Sequence, residues 1–392
     1  MRGRLPELIC GGASAVSALL AQIMSRPGSF HPSLLLNVAD TDQIAGYVKD
    51  LDPDFQFTTA YDHYDGVYLW TMAHDPLALG QAHDLIDLAA YRYGHPLYSW
   101  LAGALSLGQP QALPWVFWLL SVVSMAAAAV GVSLLARRLG ASAWLGLLVA
   151  ASPGLLFSAS TALTEPAQLA LTSALLILWL RPRTSPFGLA ALSVVLCLTK
   201  EQLILMPLTL GLHQLIDAVR RNRRPWRPGF PWGRLLALAA GPLALGAWLY
   251  YVRGRFTAEQ LAYDSGNVGW PISGWLETFS YAAQLRHGDA MSSQVGSTAV
   301  PGLLAVAVIV LAGAVIGLLR RDELGLVVLA QAILISTLGW RTLLFPHEMF
   351  RIPAMTLLLA MLLIVVQLSR PDAGQSPPVS QGGGLAEVPL SK

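Results

Sequence analysis

Charged residues are scarce in this chain. Asp, Glu, Lys and Arg make up 12% of its 392 residues, against roughly 25% in a soluble domain, which excludes an ordinary water-soluble protein. Net charge is scarce too: a formal balance of +2 gives no basic surface of the kind that holds nucleic acid. Only two cysteines occur, Cys10 and Cys197, both inside apolar runs, so no disulfide is expected. The histidines at 63, 74, 83 and 95 show no compact metal-ligand spacing, and no internal repeat is evident.

What the chain does have is apolar length. It is 54% hydrophobic with a mean hydropathy of +0.54, and runs of about 20 residues, enough to cross about 30 Å of hydrocarbon, recur through it. The first covers 8–24; its alternative reading is a cleaved signal peptide. A short piece at 96–107 reads as an interfacial or re-entrant helix, and a full span follows at 112–136. The run at 143–180 is interrupted by Thr164-Glu165-Pro166 and reads as a hairpin with Glu165 at its tip, because a residue before proline avoids helical geometry.

The run at 186–217 is broken only by Lys200-Glu201. As one straight helix it would be about 48 Å long, too long for a bilayer. A tight hairpin instead keeps Arg181 and Arg183 on the same side as the arginines at 220–224, as the positive-inside rule requires. Lys200 and Glu201 are then drawn below the membrane surface, where charges need a partner or a watered cavity. Further spans are predicted at 234–252, 299–319, 325–344 and 353–369, with a second polar loop at 253–297 anchored by Trp270 and Trp275. The expected fold is an all-α polytopic membrane protein of about ten transmembrane helices, one domain over 1–369. Residues 25–110 form its large extracytoplasmic loop with short interfacial helices, and 370–392 a disordered cytoplasmic tail. In this topology basic clusters without acidic partners lie on the cytoplasmic side, and the acidic loop, Glu165, Lys200-Glu201 and Arg341 through Arg351 lie on the other.

The first loop carries the chemistry. Ten aspartates lie between residues 40 and 87; in a loop each most often caps a helix or stays solvated. Asp65 differs because Tyr61, Tyr64, Tyr68 and Trp70 surround it and Gly66, which permits a close backbone approach or a positive φ, follows it. Aromatic faces beside a polar group suit a sugar ring. On a helix His347, Glu348 and Arg351 share a face.

Tyr64-Asp65-Gly66-Val67-Tyr68, Ala73-His74-Asp75-Pro76 and Tyr91-Arg92-Tyr93-Gly94-His95-Pro96-Leu97-Tyr98, followed by Thr164-Glu165-Pro166 and Thr199-Lys200-Glu201, resemble motifs of bacterial GT-C class membrane glycosyltransferases. The resemblance covers about residues 61–205. His95 stands where that group tends to have Arg, Ser99 where Pro is common and Val67 where Gln is common. It implies a mannosyltransferase-like enzyme of the bacterial plasma membrane that uses a polyprenyl-phosphate-linked sugar on the extracytoplasmic face, with a glycan or glycolipid acceptor. Carried over by position, Asp65 is the catalytic base, with Asp62 as second choice. Tyr64, Tyr68, Arg92, Tyr93, His95, Glu165, Lys200, Glu201, Arg341, His347 and Arg351 would bind substrate. No cofactor is implied with certainty; a divalent cation held by Asp62 and Asp65, as in some GT-C relatives, is an open alternative.

The physics suits those roles. Transfer needs a carboxylate to take the acceptor's proton and cations to stabilise the departing phosphate. Each candidate also has a plainer reading: Arg341 and Arg351 as snorkelling helix ends, Lys200-Glu201 as a structural pair, Arg92 as an anchor of the interfacial helix. Two other functions remain open on the sequence, a transporter or flippase of a lipid-linked or small solute, and a non-catalytic assembly protein of the membrane.

Overall fold

The computed structural model describes residues 4–26, 28, 30–221, 230–257, 267–287 and 290–369; the expected tail and part of the arginine cluster at 220–224 lie outside them. Helix α1 (Leu5–Met24) is followed by the first loop with its short helices α2 (Ala45–Leu51), α3 (Gly66–His74), α4 (Ala89–Arg92) and α5 (Leu97–Leu105). Then come α6 (Leu113–Arg138), α7 (Leu147–Ala150), α8 (Pro153–Ser160), α9 (Glu165–Trp179), α10 (Pro186–Thr199), α11 (Leu205–Arg220) and α12 (Trp232–Arg255). The last six are α13 (Ser273–Leu285), α14 (Ala290–Arg320), α15 (Glu323–Ser336), α16 (Trp340–Leu344), α17 (Pro346–Arg351) and α18 (Ala354–Leu368). Among the described residues no β-strand occurs, only two isolated bridges.

Proline sets much of this segmentation. It stands in the first turn of α1, α6, α8, α9, α10 and α17, where the missing N–H costs nothing and the fixed φ favours helix. This refines the expected break at Glu165. The chain turns at 161–164, with Ala162 at φ 56°, and Glu165 and Pro166 begin α9 instead of ending α8. The expected break at Lys200-Glu201 is present: α10 ends at Thr199, Lys200 is extended, and a 3-10 turn over Glu201–Ile204 leads into α11.

Among the described residues five helical segments are long and apolar enough to cross a membrane: Leu5–Met24, Pro110–Arg138, Glu201–Arg220, Trp232–Arg255 and Ser293–Arg320. A sixth is added if α7 and α8, bent by 55°, are counted as one span. This makes a multi-pass membrane protein. The remaining expected spans correspond to α9, α10, α15 and α18, of 14 or 15 residues. Such helices reach only about 21–23 Å at about 1.5 Å per residue, short of the hydrocarbon thickness, so length alone does not give ten crossings.

The main core gathers buried residues of α1, α6, α9, α10, α15 and α18, among them Met125, Leu169, Leu196 and Leu359. A second core lies under the first loop, where Trp70, Met72, Tyr93 and Phe117 are almost wholly buried. The loop is thus folded on an apolar centre of its own. A third core joins α13 and α14 to α15, α16 and α17.

The arginine-bearing ends of the bundle have more acidic company than expected. Arg137 Nη1 lies 2.6 Å from Glu7 Oε1, Arg320 Nε donates to Asp322 at 2.8 Å, and Arg221 Nε to Asp217 at 2.9 Å. Arg138 and Arg234 donate to the carbonyls of Leu180 and Trp179 at the end of α9. Such bonds satisfy helix-terminal carbonyls that would otherwise lack partners. Of the expected interface anchors, Trp270 is exposed, whereas Trp275 donates its indole N–H to the Ile335 carbonyl and packs inward.

Two glycines allow the approaches that place the site. A Cβ on Gly66 would lie 2.5 Å from the Leu36 carbonyl oxygen, so α3 starts against that backbone. The requirement is close approach, not a positive φ. On α8, a Cβ on Gly154 would collide with the Phe350 carbonyl, one residue before Arg351. Gly154→Ala is therefore expected to destabilise by about 1–3 kcal/mol through overpacking and to displace α17. Thermal unfolding of the purified variant in detergent checks this; an unchanged midpoint would show that the contact yields freely.

Candidate functional site

A cavity of about 580 Å³ lies where the first loop meets the starts of α9 and α11 and the C-terminal helices. Asp65, Tyr68, Arg92, His95, Glu165, Lys200, Glu201 and Arg351 line it, together with Glu348. Five of the segments that the sequence singled out, from residue 65 to residue 351, thus meet at one place. The rest of its lining is mixed: Leu334, Ile335 and Leu338 near the end of α15, with Val268 and Ile352, are interspersed with Asn267, Thr337 and Thr342.

Asp65 precedes α3, at the start that Gly66 seats against Leu36. Arg92 Nη1 donates to its Oδ1 at 2.9 Å, and Arg351 Nη1 to its Oδ2 at 3.2 Å. Burial pushes the Asp65 carboxyl up, but the charges of Arg351, Arg92 and Lys200 outweigh it and hold the pKa at about 2. Asp65 is accordingly a carboxylate at any ordinary pH. The Arg92 guanidinium is itself placed by the Tyr68 ring, whose centroid lies 3.7 Å below its central carbon.

Arg351 ends α17, 7% exposed. Besides Asp65 it holds Glu348, one helical turn back, at 2.8 Å through Nη2 and 3.2 Å through Nε, and Glu165 Oε1 at 3.3 Å. Tyr64 lies beneath this network: its hydroxyl donates to Glu348 and its ring faces Arg351 at 5.3 Å. It braces the site from outside the cavity lining.

Lys200, Glu201 and His95 form a second cluster. Lys200 Nζ is 3.6 Å from Glu201 Oε1 and 3.3 Å from His95 Nε2. An ammonium can only donate, so Nε2 accepts, and Nδ1 lies 3.0 Å from Glu201 Oε2 without hydrogen-bond geometry. Burial and the neighbouring Lys200 push the His95 pKa down, consistent with a neutral ring. The expected arginine at this position would have added a fixed charge; histidine adds none.

Besides Tyr64, four sequence-predicted site residues lie outside the cavity lining. Asp62 sits in a 3-10 turn with its side chain 51% exposed, 3.5 Å from Arg26, and does not line the cavity. It therefore shares no cation position with Asp65, which faces the two arginines. Tyr93 is buried in the loop core and donates its hydroxyl to the Asp75 carbonyl at 2.7 Å, a structural role. Arg341 stands on α16 beside the Trp340 ring, outside the lining. His347 packs against Phe157 with ring centroids 4.9 Å apart and is pushed down in pKa by burial and by Arg351. Among the described residues no group of three or more His, Cys, Asp or Glu is placed to hold a metal.

Sequence reasoning passed over Gln168 and Gln202, which line the cavity and bond to each other at 3.2 Å. Gln168 lies nearly one turn beyond Glu165 on α9, a spacing that pointed to it. Glu348 was identified as a neighbour of Arg351 but not as part of the lining.

Searches with this chain find no matching family model and no matching curated protein.

Proposed function

We propose that the protein is an integral membrane glycosyltransferase. It moves a sugar from a polyprenyl-phosphate donor to a glycan or glycolipid acceptor at the extracytoplasmic face of a bacterial plasma membrane, with a GT-C-like topology of about ten crossings. The observation that carries this reading is the convergence of Asp65, Arg92, Glu165, Lys200 and Arg351 on one cavity that Leu334, Ile335, Leu338, Val268 and Ile352 also line. A cavity with both clustered cations and apolar side chains in its lining suits an amphiphile with an anionic head and a hydrocarbon tail.

The chemistry assigned to the site balances simply. The acceptor hydroxyl attacks the anomeric carbon, its proton passes to Asp65, and the anomeric C–O bond to phosphate breaks. The lipid phosphate leaves with its charge on Arg92, Arg351 and Lys200, so no general acid is required. Glu348, with Tyr64 behind it, keeps Arg351 oriented.

A second reading, a transporter or flippase of a lipid-linked or small solute, draws support from the bent pair α7–α8 and from the break at Lys200, since interrupted helices often line transport sites. Reconstitution separates the two. Purified protein in lipid vesicles, offered radiolabelled polyprenyl-phosphate sugars and membrane acceptors, is expected to produce labelled glycan without moving solute. Flux with no transfer from any donor would replace the enzyme by the transporter.

A further inference from the structure

We propose that Glu165 takes up a proton when the cavity receives an anionic phosphate group, so that ligand and proton bind together. The inference rests on the phosphate-binding reading above and concerns the same cavity.

It begins with charge. Around Arg351 stand three carboxylates, Asp65, Glu165 and Glu348; Arg92 pairs with Asp65, and the charge of Lys200, whose ion-pair partner is Glu201, also reaches Asp65 and Glu165. With all ionised, that cluster carries one negative charge in excess. The adjoining cluster does not offset it: Lys200 balances Glu201, and His95 accepts from Lys200 and so is neutral. His347, on the same helix as Arg351, is held toward the neutral form by burial and by that arginine. Arg341 does not line the cavity. A phosphodiester entering here would meet a surplus of its own sign.

The surplus can be placed on one side chain. Glu348 is held by two nitrogens of Arg351 and by the Tyr64 hydroxyl, and Asp65 by two arginines. Glu165 is 8% exposed and has a single ionic contact, the 3.3 Å approach to Arg351. Its second oxygen, Oε2, is buried with no hydrogen-bond partner. The nearby amides are directed elsewhere: Gln168 Nε2 bonds to Thr164 Oγ1 and Gln202 Nε2 to Gln168, and neither bonds to Oε2.

Once a phosphate draws Arg351 toward itself, Glu165 loses its ion-pair partner; the other groups facing it are Lys200, already paired with Glu201 and drawn to the same phosphate, and the neutral Tyr98 hydroxyl. A buried carboxylate with no donor beside a new anion is the costliest charge in the cavity, and protonation removes it. The proton then stays with the ligand-bound state, leaving Asp65 free to serve as base.

Isothermal calorimetry on protein in nanodiscs tests this, using the methyl phosphodiester of a polyprenol, whose single charge does not titrate near neutrality. Heats measured in two buffers of different ionisation enthalpy give the protons taken up. The wild type is expected to take up close to one proton per lipid at pH 7, with affinity falling up to tenfold per pH unit as pH rises. Glu165→Gln is expected to bind with near-zero uptake and a flat pH dependence. Wild-type binding without proton uptake would overturn the inference while leaving the phosphate site standing. Uptake undiminished in Glu165→Gln would remove Glu165 as the proton's place. Absence of binding would overturn this inference and the phosphate reading together. Should the glutamine variant not fold, the wild-type proton count and pH slope decide alone.

Discussion

Arg351→Ala is expected to abolish transfer and to destabilise the protein by about 3–5 kcal/mol, the range for removing one partner of a buried ionic cluster. Three carboxylates depend on this guanidinium, and only Asp65 has a second arginine. Its loss leaves Glu165 buried with no ion-pair partner and only the more distant charge of Lys200, and Glu348 with the Tyr64 hydroxyl. Arg351→Lys keeps the charge but loses the planar fork that serves several acceptors at once, so it should recover part of the stability and little of the rate. Thermal unfolding in detergent and the vesicle transfer assay read the two effects. An alanine variant with the wild-type midpoint would show that water or rearrangement satisfies the carboxylates, and the cluster would lose its structural role.

Asp65→Asn is expected to lower transfer by about 10²–10⁴-fold, the usual range for a positioned base, with donor binding retained. The amide cannot take the acceptor's proton, and the two arginines lose their shared anion. Because those arginines hold the carboxyl at a pKa of about 2, the wild type has the ionised base throughout the working range. Its stability contribution is present above the ordinary carboxylate pKa and is lost as pH falls through about 2. Asp62→Asn is the matched control. Its contact with Arg26 is half exposed and worth about 0–1 kcal/mol, so transfer should change by no more than about fivefold, the rate equivalent of that energy. Equal losses in the two variants would return the choice of base to open ground; full activity in Asp65→Asn would remove Asp65 from the chemistry.

Asp62 and Asp65 also show where sequence stops being informative. They belong to one phrase, three residues apart, yet a 3-10 turn sends one to the surface and the other to the cavity. A loop has no period from which a facing side can be read. Tyr93 was misplaced for the same reason: its partner is the Asp75 backbone, which no side-chain pattern announces. Helical breaks fared better, because proline and isolated charges in apolar runs have local causes. Glu165, Lys200 and Glu201 could be placed together from positive-inside topology and the limited length of a crossing helix. The C-terminal region resisted. The apolar run at 325–344 looks continuous, but the backbone at 336–339 pairs with 267–272, α15 ends at Ser336, and Arg341 falls on the short α16, outside the cavity that Arg351 lines. That pairing depends on a distant segment. The cavity itself was legible only as a set of residues on one side; its shape required the coordinates.

The ion pair between Glu7 and Arg137 joins residues 130 positions apart. At about 5–20 residues synthesised per second, the arginine is made roughly 6–26 s after the glutamate. Throughout that interval the nascent first helix carries a carboxylate with no Arg137 to meet it, and its Cys10–Ser14–Ala18–Gln22 seam has no α6 to cover it. A translation pause before residue 137 would lengthen this wait, so the rate of protein synthesis becomes a variable in how much of the chain assembles correctly.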